Sequence, residues 1–386
     1  HSDFPGGNIL VDEIDDAASG GATISVHQDL RDTEGDWFYW YFAVRGAAGR
    51  QITVRFTGSD VLGVRGPGVS LDGGWTWRWL GADAVQGQSF TVAVPPGVDE
   101  IRFSFGMPYL GRNLEAFLAR HAGNPHLEAG VLCTTRGGRA AERLRLGLLD
   151  GEPAHRVLLT ARHHCCEMMA SYALEGLLEC VLADREIGAW FREHVELAVI
   201  PFVDKDGVEQ GDQGKNRRPH DHNRDYNGET PESSLYPTVR ALRDWVGAWH
   251  DGRLHVALDM HCPWIRGPYH EDIHFPGGSE PEMWARVSRF SQLLQASIRG
   301  PLPFDPAHNL PFGTAWNTTE NRGGKVNFGQ WAKTIPGIWL AASIEIPYAN
   351  AGGQAVTAES ARAFGHDLAR AIYVYLRERG GTPCAS

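Results

Sequence analysis

The chain has 386 residues, more than one hydrophobic core usually serves, so its length favours two domains. Hydrophobic residues make up 42% of it and charged residues 22%, which is typical of a globular protein in water. The formal net charge of −11 argues against a nucleic-acid partner, because phosphates require a basic surface. No apolar run reaches about eighteen residues, so we expect no segment that spans a membrane.

Residues 1–107 are predicted to form an antiparallel β-sandwich. Apolar and polar side chains alternate in three segments there, at 52–56, 75–79 and 101–105. Clusters of Gly and Pro separate these segments, as in the turns of antiparallel sheets. The aromatic run at 37–42 has no polar face, so we expect it to be buried on both sides against the second domain.

Residues 108–386 are predicted to form an α/β domain, a mixed sheet with helices on both faces. Apolar strand candidates alternate there with segments of helical spacing. The strand candidates are 156–160, 196–202, 254–260 and 338–346, and the helical segments are 167–182, 235–249 and 364–375. Ligands of such sheets bind where strands end and loops begin, so the loops after these strands are the expected site.

His164 and Glu167 lie three residues apart on the loop after the first of these strands, and His261 directly follows the strand candidate at 254–260. Side chains at such positions can converge on one ion. Two imidazoles and one carboxylate leave a fourth position for water, as a catalytic zinc requires. We predict that these three residues bind one zinc ion per chain, although nickel or cobalt fit the same ligands.

Two other interpretations of these residues are open. A single histidine after a strand is more often a hydrogen-bonded structural residue than a metal ligand. Cys165, Cys166 and Cys262 adjoin the predicted ligands and are candidates for a structural thiolate site, but no C-x2-C spacing supports one. Six scattered cysteines and the lack of a signal-like first segment favour free thiols and a cytoplasmic location.

A polar segment after the strand at 196–202 carries candidates for anion binding and is predicted to be a loop over residues 204–226. Arginine binds a carboxylate through two parallel hydrogen bonds and a neighbouring amide adds a third, so Asn223 and Arg224 fit a terminal carboxylate. Arg217 is the candidate for stabilising an oxyanion at a reacting carbonyl. A solvated basic turn is the alternative for the whole segment.

Glu345 lies within the apolar strand candidate at 338–346. Buried carboxylates are rare unless they are paired or functional. Burial raises the pKa of a carboxyl group and an adjacent zinc ion lowers it, so Glu345 suits a general base. A buried salt bridge is the alternative.

In this order, the motifs resemble the zinc carboxypeptidase family, and most closely its cytosolic-carboxypeptidase-like branch. The similar segments are 37–42, 105–109, 161–167, 204–207, 214–217, 223–224, 259–261 and 343–345, so the resemblance covers nearly the whole chain. It differs at Cys165 and Cys166, where the family usually has Pro and Gly. The spacing between Arg217 and Asn223 is shorter than in the branch, so Arg218 competes with Arg217 for the same role.

The resemblance implies an N-terminal β domain before a catalytic domain that removes C-terminal residues from peptides. His164, Glu167 and His261 would hold zinc, and Glu345 would act as general base and acid. Asn223 with Arg224 would bind the free carboxylate of the substrate, and Arg217 would polarise the carbonyl.

The family's substrate-closing tyrosine is expected within residues 313–333, which contain no tyrosine. Several members of the branch remove acidic residues with a cationic pocket, for which Arg322, Lys325 and Lys333 are candidates; a solvated loop is the alternative for these three residues.

Two other functions use similar residues. Zinc deacylases of N-acyl amino acids share the ligand set, although many lack a leading β domain. A non-catalytic module that recognises peptides or glycans would have no use for Glu345. The preferred C-terminal residue, the physiological substrate and the oligomeric state are not encoded in a recognisable motif.

Overall fold

The computed structural model describes residues 1–16 and 21–380. The strands of its N-terminal part are β1 (Leu10–Asp15), β2 (Gly21–His27), β3 (Tyr41–Arg45), β4 (Gln51–Phe56), β5 (Gly68–Ser70), β6 (Arg78–Trp79), β7 (Val85–Gln86), β8 (Ser89–Ala93) and β9 (Glu100–Ser104). They form two sheets, in the orders β1-β2-β4-β8-β7 and β3-β9-β5-β6.

Aromatic side chains fill the space between the two N-terminal sheets. The ring centroids of Trp40 and Phe56 lie 4.8 Å apart, and those of Phe90 and Phe103 lie 5.1 Å apart. The predicted fold class of this part is confirmed, with one parallel pair, β2 with β4, among antiparallel neighbours. Side chains alternate with period two in parallel and in antiparallel strands, so the alternation in the sequence could not reveal the parallel pair.

Two of the three alternating segments form long strands, and the third does not. Residues 52–56 lie in β4 and most of 101–105 in β9, whereas only Arg78–Trp79 of the segment 75–79 is a strand. Asp72 accepts hydrogen bonds from the backbone N–H groups of Trp75 and Thr76. This side-chain bonding holds the backbone in a turn where alternation predicted a strand.

The C-terminal part is a mixed sheet with helices on both faces, as predicted. Its strands are β10 (Leu127–Thr134), β11 (Ala140–Gly147), β12 (His155–Ala161), β13 (Val195–Ile200), β14 (Leu254–His261) and β15 (Leu340–Glu345), followed by the short pair β16 (Asn350–Ala351) and β17 (Gln354–Ala355). Its helices are α1 (Gly111–Arg120), α2 (Met168–Leu182), α3 (Glu186–His194), α4 (Lys205–Gln210), α5 (Pro237–Trp249), α6 (Pro281–Ser297), α7 (Thr319–Arg322), α8 (Phe328–Ala332) and α9 (Ala358–Arg379).

The sheet order is β10-β11-β13-β12-β14-β15, in which the strands from β13 to β15 are parallel and the other pairs antiparallel. The parallel strands are apolar on both faces because helices cover both. Val157 and Leu159 of β12 belong to the core that contains α2 and α9, and Leu158 belongs to the core that contains α5. Because the strands from β13 to β15 are parallel, their carboxyl ends meet at one edge of the sheet.

The aromatic run at 37–42 joins the two parts of the molecule, as expected from its composition. Phe38 and Phe105 contact Tyr348, with ring centroids 5.6 and 5.0 Å apart, and Trp37 contacts Trp264 at 4.8 Å. The N-terminal sheets thus pack directly beside the end of β15. Among the described helices, none has both the length and the apolar character required to cross a membrane.

Candidate metal centre and active site

The three predicted metal ligands lie together at the carboxyl ends of β12 and β14. These strands are neighbours, and Ala161 pairs with Met260 in their register. The turn after β12 carries His164 and Glu167, and β14 ends on His261. Nδ1 of His164 lies 2.9 Å from Oε1 of Glu167, and Nδ1 of His261 lies 2.7 Å from Oε2. All three side chains are buried, with ligand atoms within 4.8 Å of one another.

A second carboxylate lies behind each imidazole. Nε2 of His164 is 3.6 Å from Oδ1 of Asp221, and Nε2 of His261 is 2.5 Å from Oδ2 of Asp259. Nδ1 of each ring faces Glu167 and a second carboxylate lies on the Nε2 side, an arrangement that orients histidine ligands in metal sites. The group His164–Glu167–His261 is typical of a zinc carboxypeptidase site in donor type and burial.

His163 is held by structural hydrogen bonds. Its Nδ1 lies 2.8 Å from Asp259 and its Nε2 lies 2.7 Å from the hydroxyl of Tyr226. Both ring nitrogens are therefore engaged. This histidine supports Asp259, and through it His261.

The electrostatics of the group favour a bound cation. Burial alone would raise the pKa of Glu167, but Lys215, His164 and His261 outweigh it and hold that pKa well below its ordinary value. Burial alone would lower the pKa of His261, but Asp259 and Glu167 raise it well above the ordinary value. The buried carboxylates thus attract positive charge to this position, whether a proton or a metal ion supplies it.

Glu345 ends β15 beside the metal ligands. In the register of β14 and β15 it pairs with His261. Its side chain is buried, and Oε2 has no hydrogen-bond partner among the described residues. No basic side chain of the described ranges forms an ion pair with it, so the alternative of a buried salt bridge finds no support there. A buried carboxylate oxygen without a partner is costly to stability, which indicates that a ligand is meant to satisfy it.

A cavity of about 600 Å³ opens beside these groups. His164, Glu167, His261 and Glu345 are among the residues that line it. Trp37 of the N-terminal part also lines it. Its volume lies in the range of small-molecule and peptide-end sites.

The predicted carboxylate-binding pair lines the same cavity. The amide oxygen of Asn223 accepts a hydrogen bond from the backbone N–H of Phe328 at 3.1 Å, which fixes the orientation of its amide. Nδ2 of Asn223 lies 3.3 Å from Nε2 of His261. The guanidinium of Arg224 is half-buried and has no hydrogen bond or ion pair within the described part of the chain. Its donors are available to a ligand.

Arg217 also reaches the cavity, but three carboxylates surround its guanidinium. Nη1 lies 2.5 Å from Asp204, Nη2 2.6 Å from Asp212 and Nε 2.9 Å from Asp32. Its predicted role at the substrate carbonyl stays a prediction. Arg218, the competing candidate, has a side chain that is 82% exposed, pairs with Glu34 and does not line the cavity.

The segment 204–226 is more ordered than predicted, because it begins with the short helix α4. Asp204 caps this helix by accepting a hydrogen bond from the backbone N–H of Gly207 at 3.0 Å. Gly211 ends it in the left-handed conformation, with φ of 77°. The prediction of a loop throughout was therefore wrong. A polar composition argues against a long helix with an apolar face, but it allows a short helix whose two ends are capped.

Sequence reasoning missed Lys215, whose Nζ lies 2.6 Å from Oε1 of Glu167. The contact spans distant parts of the chain, and the only sequence signal is its proximity to Arg217. Of the candidate pocket cations, Lys333 pairs with Glu280, Lys325 is exposed at the rim, and the side chain of Arg322 lies outside the described part. Trp316 is the aromatic residue of 313–333 that lines the cavity.

Comparison with known proteins finds metallocarboxypeptidases among the proteins similar to this chain. No protein-family model matches the chain. Human cytosolic carboxypeptidase 1 is 26% identical over 166 residues, which are 39% of this chain and 13% of that one. The crystal structure of a metallo-carboxypeptidase from Burkholderia cenocepacia covers 98% of both chains, with a TM-score of 0.77 and 20% identity.

A metallo-carboxypeptidase from Pseudomonas aeruginosa, solved in complex with (2-guanidinoethylmercapto)succinic acid, is also similar. It covers 98% of this chain and 99% of its own, with a TM-score of 0.71 and 22% identity. The similarity of fold includes the N-terminal sheets. The chain thus has the fold of these metallo-carboxypeptidases over nearly its whole length, and it contains a buried His-Glu-His group.

Proposed function

We propose that the protein is a zinc-dependent carboxypeptidase that removes C-terminal residues from peptides. One observation carries the proposal: one cavity contains the His164–Glu167–His261 group together with the carboxylate of Glu345 and the guanidinium of Arg224, both of which lack a partner among the described residues. A hydrolase that acts beside a free carboxylate needs a metal site, a base and a cationic anchor at these relative places.

Each side chain has a defined part in the reaction. One zinc ion per chain, held by His164, Glu167 and His261, would polarise the scissile carbonyl and lower the pKa of a bound water to roughly 7. Glu345 accepts a proton from the attacking water as the new C–O bond forms. It then delivers that proton to the leaving nitrogen as the C–N bond breaks. Arg224 and Asn223 hold the terminal carboxylate of the substrate, which places the last peptide bond beside Glu345.

The substrate is thus the C-terminus of a peptide or protein, and we place the reaction in the cytoplasm. The cysteines among the described residues are free, and Cys165, Cys166 and Cys262 are buried near the proposed ligands. Burial raises the pKa of each of these three thiols, and none of them belongs to a metal-binding group among the described residues.

The test compares three substrate classes by mass spectrometry: peptides with a free C-terminus, the same peptides with a C-terminal amide, and N-acyl amino acids. We expect stepwise loss of C-terminal residues from the free peptides only, abolished by a zinc chelator and restored by added zinc. Cleavage of N-acyl amino acids alone would instead make the protein a deacylase. If the zinc-loaded protein cleaves none of them, the proposed function is wrong and a binding role replaces it.

A further inference from the structure

The cavity contains more lysine and arginine side chains than are needed to bind one substrate carboxylate. They differ in how many carboxylates of the protein surround them. These residues are Lys215, Arg217, Arg224, Lys325 and Lys333. Lys333 is paired with Glu280, and Lys325 is exposed at the rim. Arg224 has the carboxylate anchor as its proposed role. Lys215 and Arg217 therefore compete for the position at the reacting carbonyl.

The contacts of Arg217 tie it to the protein. Its guanidinium is almost wholly buried, and each of its three nitrogens faces a different carboxylate, those of Asp32, Asp204 and Asp212. Asp204 and Asp212 are themselves buried. If Arg217 turned towards a substrate, these carboxylates would be left without a counter-charge in a poorly solvated place. Its charge is thus already neutralised by the fold.

Lys215 has a different environment. Its ammonium group pairs with one carboxylate, that of Glu167, at 2.6 Å. Its other direct contacts are the carbonyl oxygen of Cys262 at 3.4 Å and the ring of Trp37 at 5.2 Å from the ring centre, and the charge of Glu345 acts on it without an ion pair. Glu167 is also a proposed metal ligand. When a metal ion takes up that carboxylate, the ammonium keeps its charge and no other carboxylate within the described residues pairs with it.

The backbone holds Lys215 at this place. Gly214 precedes it with a φ of +78°, in the region that favours glycine. A Cβ atom at position 214 would lie 2.5 Å from the backbone nitrogen of Cys165 and 2.7 Å from its sulfur. The segment therefore packs directly against the turn that carries His164 and Glu167. This close approach keeps the Lys215 side chain beside the metal ligands.

We propose that Lys215, in place of Arg217, is the cation that binds the oxyanion developing on the scissile carbonyl. The assignment rests on the proposed peptidase function. An ammonium group that is buried beside the proposed metal ligands, and whose one paired carboxylate would be shared with a metal ion, provides a strong, pre-oriented donor for an oxyanion. Arg217 then acts as the residue that positions the loop on which Lys215 lies.

The experiment compares the zinc-loaded wild type with Lys215→Met, Lys215→Arg and the exposed control Arg218→Met. Calorimetry measures two affinities for each: for a phosphonate peptide analogue, whose oxygens mimic the oxyanion, and for a free amino acid, which uses only the carboxylate anchor. For Lys215→Met we expect kcat and phosphonate affinity to fall about 100-fold or more, with amino-acid affinity changed by less than about twofold. Lys215→Arg should recover part of both losses, and Arg218→Met should match the wild type.

Circular dichroism and zinc content check that each variant is folded and loaded. Wild-type phosphonate affinity and kcat in loaded Lys215→Met would overturn the assignment. So would a loss of phosphonate affinity in folded Arg217→Met that Lys215→Met does not show, since Arg217 would then hold the oxyanion. A wild type that neither cleaves peptides nor binds the phosphonate would overturn the proposed function itself, and the assignment with it.

Discussion

Asp221 and Asp259 determine which nitrogen of each histidine faces the metal position. Each carboxylate lies at Nε2 of its imidazole, which leaves Nδ1 directed at Glu167. Asp259 has further partners, because it also accepts hydrogen bonds from Thr160 and His163. Asp221 has the simpler surroundings and is the better residue to change.

Asp221→Ala is expected to weaken zinc binding about 10- to 100-fold without unfolding the protein. The loss of this carboxylate frees the ring of His164 to rotate and lowers its basicity as a ligand. Competition with a chromogenic chelator measures the affinity. Asp244→Ala, at an exposed position on α5, is the matched control and should bind zinc as the wild type does. Equal affinities in both variants would show that Asp221 does not support the ligand.

Glu345→Gln is expected to lower kcat by about 10²- to 10⁴-fold and to leave zinc content unchanged. The amide keeps the shape of the side chain but cannot accept the proton of the attacking water. Peptide cleavage assays measure kcat, and metal analysis of the same samples measures the zinc content. Glu282→Gln, at an exposed position, is the control. Near-normal turnover in Glu345→Gln would remove this residue from the mechanism.

At the scale of elements, the segment that carries Lys215 and Arg217 is held by its ion pairs and not by apolar burial. Arg217 links Asp204 at the start of α4, Asp212 after its end and Asp32 of the N-terminal part. Thr33 forms an isolated β-bridge with the backbone of Arg217 at the same place. One guanidinium thus connects three stretches of chain.

Arg217→Met is therefore expected to destabilise the fold by about 3 kcal/mol or more, because it leaves two buried carboxylates without a counter-charge. Urea unfolding followed by circular dichroism measures the change in the free energy of unfolding. Arg218→Met should change it by less than about 0.5 kcal/mol, since that side chain is exposed. A similar small change in Arg217→Met would mean that these ion pairs do not hold the segment.

The elements that the sequence predicted are those whose side chains follow a simple pattern of burial. β12 to β15 are buried on both faces and read as continuous apolar runs, and α2, α5 and α9 have apolar residues at helical spacing. β10 and β11 were missed because their half-exposed side chains do not alternate regularly.

At the site, the three predicted ligands could be selected from the sequence because they follow the ends of predicted strands, and the structure places them together. The contact of Lys215 with Glu167 depends on the path of a loop, which no local pattern specifies.

At the scale of the whole molecule, the two parts of the chain share one site and one core. Trp37 lines the cavity and Asp32 pairs with Arg217, although both belong to the N-terminal part of the sequence. Phe38 and Phe105 pack on Tyr348, just beyond Glu345. The domain boundary near residue 107 stays a prediction. These contacts indicate that side chains from both parts of the chain surround the site, so unfolding would disrupt it from both sides.

Acid is expected to destabilise the metal-free protein between pH 6.5 and 4. Burial lowers the pKa of His155, His222 and His255 from the ordinary 6.5 to about 4. Between these two values the unfolded chain binds more protons at these three positions than the folded one, so their contribution to stability is full above pH 6.5 and falls as pH decreases towards 4.

Thermal unfolding across this range measures the effect. His255→Phe keeps a ring stacked on Trp339 but cannot be protonated, so its melting temperature should depend less on pH. An unchanged pH dependence in that variant would contradict the account.

The central claim is that His164, Glu167 and His261 together hold one divalent metal ion. Native mass spectrometry of the metal-free protein during zinc titration tests it most directly, because it counts ions bound to each chain. We predict one zinc ion per chain in the wild type, one in Glu345→Gln, and none at the same zinc concentration in His261→Ala. A wild type that takes up no zinc, or a His261→Ala variant that binds one ion as tightly as the wild type, would contradict the account.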